Sequence, residues 1–82
     1  MVEIRFDKKF VDIFSKIKDN FLKDKITKQI KKISENLEVG KPMRYNRKGS
    51  RELYISPFRL SYMYFPEKDL VYILDFYHKK RQ

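Results

Sequence analysis

The chain has 82 residues, no cysteine, one histidine and a formal net charge of +9. A single domain over residues 1–82 uses the whole length, so a second domain, a disulfide scaffold and a thiolate zinc site are not expected. Hydrophobic residues at 41% and aromatic residues at 16%, seven Phe and six Tyr, supply a core and exclude a disordered chain.

The charge is uneven. Residues 1–40 hold ten Lys or Arg against seven Asp or Glu, and residues 41–82 hold ten against four. Such a field favours a polyanion as partner, whether nucleic acid, an acidic membrane surface or an acidic protein. No apolar run approaches the roughly 20 residues of a membrane span, so no membrane partner is expected. Met1 to Arg5 lacks the apolar core of a secretory signal, and the expected compartment is the cytoplasm.

Val2, Ile4 and Phe6 alternate with Glu3 and Arg5, which predicts a short first strand. Asp7 can cap a helix starting at Lys8. Phe10, Ile13, Phe14 and Ile17 recur at helical spacing and predict that helix from Lys8 to Lys18. Asp19-Asn20 breaks and restarts the chain. Leu22, Ile26, Ile30, Ile33 and Leu37 then form one stripe of a second amphipathic helix, which Gly40 is expected to end. Lys23, Lys25, Lys28, Lys31 and Lys32 surround its polar side and read as a solvated face.

Gly40 to Ser50 reads as a loop whose cations Lys41, Arg44, Arg47 and Lys48 have no acidic neighbour. With Tyr45 they form a pattern suited to single-stranded nucleic acid, cations for phosphates and a flat ring for a base. From Arg51 to Asp75 the chain is dense in β-branched and aromatic residues, interrupted by Pro57 and by Pro66 to Asp69, which predicts three strands and two tight turns. Phe58, Leu60, Tyr62 and Tyr64 share one face of the middle strand, and Arg59, Ser61 and Met63 share the other. An arginine at the centre of a hairpin costs several kcal/mol if buried alone, so Arg59 lines an open surface or is paired. The two helices are expected to cover the apolar face. The chain ends in a basic tail, Lys79, Lys80 and Arg81. Phosphate loops, zinc spacings and nucleophile elbows are absent, and no cofactor or metal is expected.

The order strand, two helices, three strands and basic tail resembles the RelE/ParE toxin superfamily of toxin–antitoxin systems. The phrases that carry the likeness are Gly40-Lys41-Pro42-Met43-Arg44-Tyr45, Lys48-Gly49-x-Arg51-Glu52-Leu53-Tyr54-Ile55 and Phe58-Arg59-Leu60-Ser61-Tyr62. The resemblance covers essentially the whole chain. It implies a small α+β RelE-like fold, a mostly antiparallel four-stranded sheet with two helices packed on one face. In the RelE branch it implies ribosome-dependent cleavage of messenger RNA, restrained by a small antitoxin protein. In the ParE branch it implies poisoning of DNA gyrase.

Carried over by position, Arg59 matches the arginine that contacts the scissile phosphate, and Lys80 or Arg81 matches a second active-site arginine near the C-terminus. His78 stands near where some relatives use a histidine. Two departures weaken the likeness to RelE itself, because Glu52 and Tyr54 stand where it presents two lysines, and its C-terminal tyrosine has no counterpart.

Cleavage without metal uses the RNA 2′-hydroxyl as nucleophile and needs a base, an acid and cations for the charge on phosphorus. The expected catalytic set is Arg59, His78, Lys80, Arg81 and Tyr54. His78 qualifies by an intrinsic pKa of about 6.5. Lys41, Arg44, Tyr45, Arg47, Lys48, Arg51 and Lys79 are the expected RNA contacts. The alternative is a basic binding module of the same fold that does no chemistry. In either case an acidic antitoxin is expected over the basic groove.

Overall fold

Two aspartates start the helices of this chain, in a computed structural model that describes residues 2–37, 40–42, 49–78 and 80. The Asp7 carboxylate accepts from the Lys9 N–H at 3.1 Å and opens α1, Lys8–Lys16. Asp19 accepts from the Phe21 and Leu22 N–H groups at 2.9 and 3.3 Å and opens α2, Asn20–Glu35. Each carboxylate satisfies donors that have no partner inside the first helical turn. Both helices end earlier than their apolar spacing predicts, α1 at Lys16 and α2 at Glu35.

The early end of α2 has a packing cause. Asn36, extended at φ −140° and ψ 95°, donates its N–H to the Lys32 carbonyl and closes the last turn. The next carbonyl, that of Leu37, accepts instead from the Tyr62 hydroxyl at 3.0 Å. Gly40 therefore does not cap the helix. It is needed for room, since a Cβ there would lie 2.9 Å from Tyr62 Cε1 and 3.0 Å from the Glu52 carbonyl oxygen.

The strands are β1, Glu3–Phe6; β2, Lys41–Pro42; β3, Ser50–Ile55; β4, Phe58–Phe65; and β5, Leu70–His78. They form one sheet in the order β1-β5-β4-β3-β2. The four longer strands are those expected. The two-residue β2 falls in the expected loop, yet Lys41 pairs with Glu52 and Pro42 with Arg51. Proline is tolerated there because β2 is an edge strand. β1 runs parallel to β5 and the other pairings are antiparallel. Gly49, at φ 97°, adopts a backbone that side chains disfavour and leads into β3. Ser56-Pro57, joined by a cis peptide bond, turns the chain into β4. A short 3₁₀ turn over Pro66–Lys68 and Asp69 at φ 50° lead into β5, and Asp is among the few residues that adopt the left-handed region readily.

One apolar cluster joins the layers. Phe10 of α1 and Ile26 and Ile33 of α2 are buried with Ile55, Leu60, Tyr62, Val71, Ile73 and Phe76 of the sheet. Both helices thus cover the face that carries Leu60 and Tyr62, and the opposite face carries Arg59. Each fully buried Leu or Ile contributes roughly 1.5–3 kcal/mol relative to exposure.

A bulge changes the parity of β5. Ser61 pairs with Asp75 and Tyr62 with Ile73, so Leu74 has no opposite number in β4. Strict alternation from Val71 and Ile73 would point Tyr77 into the core. The extra residue instead gives the core position to Phe76 and turns Tyr77 toward Arg59.

Candidate functional site on the open sheet face

Arg59 sits in β4 between two tyrosines, with Tyr54 of β3 opposite it on one side and Tyr77 of β5 on the other. Its Nη1 donates to Glu52 Oε1 at 2.6 Å. The second oxygen of that carboxylate, Oε2, accepts from the Tyr77 hydroxyl. Three adjacent strands thus meet in one polar cluster. The Glu52 side chain is only 10% exposed while that of Arg59 is 31% exposed, so the guanidinium remains reachable from solvent. The charge-assisted contact satisfies an arginine that the sequence shows only as needing solvent or a partner. Tyr54 is exposed, and its hydroxyl donates to Ser56 Oγ at 3.4 Å.

His78 is elsewhere. It pairs with Phe58, whose ring it meets edge-on at 5.5 Å, and Phe58 packs on the core. Register therefore puts His78 on the helix-covered side of the sheet and Arg59 on the other. The His78 Nδ1 accepts from the Lys80 N–H at 3.2 Å. Lys80 itself is exposed. Beside them lies an open cleft lined by Lys9, Ile13, Phe58, Asp75, His78 and Lys80, and Lys9 Nζ bonds Asp75 at 3.1 Å.

Arg51 does not join Arg59. It pairs with Tyr62, and its Nη1 donates to the Gly40 carbonyl at 2.8 Å, which fastens the turn before β2. Arg44, Tyr45, Arg47, Lys48, Lys79 and Arg81 lie outside the described residues, as does the side chain of Lys41. Among the described residues no group of three or more His, Asp or Glu is placed to hold a metal ion. No described helix is long and apolar enough to cross a membrane.

Sequence reasoning passes over Glu52 and Tyr77, which share this cluster with Arg59. Glu52 stands out in the sequence only as a departure from RelE. Its role emerges once the Ser56-Pro57 turn fixes the β3–β4 register, which sets Glu52 opposite Ser61 and so diagonal to Arg59. Tyr77 carries no signal, because its direction depends on the bulge at Leu74.

A sheet with this order, two helices on one face and a reachable arginine on the central strand defines a small α+β fold with an open polar face. The family model described as the ParE toxin of type II toxin–antitoxin systems, parDE, matches residues 4–82. The chain belongs to this toxin family. Among solved structures it is similar to the toxin of the Escherichia coli RelBE complex, with a TM-score of 0.81 at 15% identity over 95% of this chain and 96% of that one. The RelBE2 complex of Mycobacterium tuberculosis gives a TM-score of 0.78 at 25% identity over 95% and 98%. A YoeB/ParE toxin from Agrobacterium tumefaciens gives 0.84 at 12% identity over 94% and 98%. A comparison with curated protein sequences finds no match.

Proposed function

We propose that this toxin arrests translation by cutting messenger RNA on the ribosome through the RNA 2′-hydroxyl, with Arg59 holding the scissile phosphate. The observation that carries the reading is the position of Arg59, central in the sheet, on the face away from the helices and open to solvent. In the reaction the 2′-oxygen attacks phosphorus, the bond to the 5′-oxygen breaks, and a 2′,3′-cyclic phosphate and a 5′-hydroxyl result. One group takes the 2′-proton and another returns a proton to the leaving oxygen. Arg59 stabilises the charge that gathers on the phosphoryl oxygens. Tyr54, exposed beside it, offers a ring for a base, and His78 offers Nε2 to RNA that wraps the end of β5. Lys80, exposed just beyond β5, adds a cation.

The partner in this reading is an acidic antitoxin. Two similar toxins were solved in complexes with RelB and YefM antitoxins, and a domain of charge +9 gains neutralisation from such a partner.

The second reading is a gyrase poison that acts by occupancy, favoured by the pairing of Arg59 with Glu52 and by His78 lying on the other face. Expression without the antitoxin, followed by mapping of RNA 5′ ends and a supercoiling assay on purified gyrase, separates the two. New 5′-hydroxyl ends within translated codons support cleavage. Loss of supercoiling with intact messages overturns it in favour of the poison.

A further inference from the structure

We propose that Glu52 is a built-in rival for the phosphate that Arg59 binds, holding the arginine in reserve until a target displaces it. This rests on the reading of Arg59 as a phosphate ligand and names what regulates that contact.

A carboxylate and a phosphate present the same kind of paired oxygens to a guanidinium. Glu52 already occupies that geometry, with Oε1 on Arg59 Nη1 and Oε2 on the Tyr77 hydroxyl. It is held from two sides by groups on two other strands, and it is less exposed than the arginine it engages. A phosphate arriving from solvent therefore meets an arginine whose charge is offset. It must draw the guanidinium off the carboxylate, and one phosphodiester among many in free RNA gains little by doing so. A target that presents its phosphate within a larger bound surface supplies that displacement from its other contacts. Glu52 thereby makes the arginine respond to a docked substrate and ignore free polyanions, which a chain of charge +9 otherwise attracts. Tyr77 is the positioning residue for this device, since its hydroxyl fixes the second oxygen.

The test is binding of a short fluorescein-labelled single-stranded RNA, 2′-O-methylated throughout so that it cannot be cut, followed by anisotropy at physiological salt. Glu52→Gln keeps the size of the side chain and removes its charge. It should tighten binding by about tenfold, the worth of one charge-assisted hydrogen bond no longer competing. Glu67→Gln, with the same change of net charge in the exposed turn before β5, should move affinity much less. The gain should vanish in Glu52→Gln with Arg59→Ala. Tyr77→Phe, which removes the hydroxyl that holds Glu52 Oε2 and keeps the ring, should shift affinity in the same direction by less, and it carries the test if Glu52→Gln lowers the melting temperature. An unchanged affinity in both variants, a gain matched by Glu67→Gln, or a gain that survives Arg59→Ala overturns the proposal. Messenger RNA cleavage is measured separately. Its absence in every variant removes the nuclease reading, while a tenfold gain through Arg59 still stands for the rival.

Discussion

Gly40 and Tyr62 are in contact at a point where neither can change alone. The Gly40 N–H donates to the Tyr62 hydroxyl at 3.0 Å, and the missing Cβ is what lets the ring approach. That hydroxyl also donates to the Leu37 carbonyl, so one buried oxygen closes the segment between α2 and β2.

Gly40→Ala should therefore destabilise the fold. The obstructing atoms include the Glu52 carbonyl oxygen, which is backbone and cannot swing aside, and overpacking of this kind costs about 1–3 kcal/mol. Tyr62→Phe should cost a similar amount by leaving the Gly40 N–H without its acceptor. Thermal melts check both, since each kcal/mol moves the midpoint of a domain this size by roughly 4–8 °C.

Arg59 is the position where function and charge separate. On the proposed cleavage mechanism, Arg59→Ala should lower cleavage on programmed ribosomes by about a hundred- to a thousandfold, the usual loss for a transition-state contact. Arg59→Lys should not restore it, because lysine lacks the planar fork. Lys31→Ala, on the exposed side of α2, should be close to neutral. Equal losses from Arg59→Ala and Lys31→Ala in folded protein would mean that general charge and no site is at work.

Asp19 is a local test of helix initiation. Its carboxylate accepts from two N–H groups of the first turn of α2, and Asp19→Ala should cost about 1 kcal/mol. Urea unfolding should show a lower midpoint at an unchanged slope.

Tyr72 makes part of the fold's stability sensitive to alkali. Its hydroxyl donates to Asp7 Oδ1 at 3.0 Å. That hydrogen bond, then burial, then the negative charge of Asp7 hold its pKa above the ordinary tyrosine value. The folded state thus favours the protonated phenol. The stability from this contact is complete below the unfolded pKa of about 10 and is lost as pH rises through the higher folded value. Melting temperature against pH should fall less steeply above pH ~10 in Tyr72→Phe than in the parent.

Sequence alone carries the parts that rest on local pattern. Alternation through residues 58–64 separates Leu60 from Arg59, and the stripe through Ile26 and Ile33 locates the helix that covers Leu60. Asp7 is legible as a cap because a short acceptor before an apolar stripe has one common use. Other features depend on the register between distant strands. The end of α2 is set by a hydroxyl on β4, and the direction of Tyr77 by one unpaired residue in β5. Neither leaves a trace in spacing. The partner of Arg59 is in plain view as Glu52, but only the turn at Ser56-Pro57 converts seven residues of separation into a contact.

The parallel pairing of β1 with β5 sets an order of events in the cell. Glu3 to Phe6 pairs with Leu70 to Ile73, so a segment made early waits for one made much later. Until β5 emerges from the ribosome, β1 has no neighbour in the sheet and Arg59 has no Tyr77 beside it. The delay also exposes Leu60, Tyr62 and the helix stripe during synthesis, and such long-range closure is slow and prone to aggregation. An antitoxin already present at that moment would meet the chain before its sheet is closed.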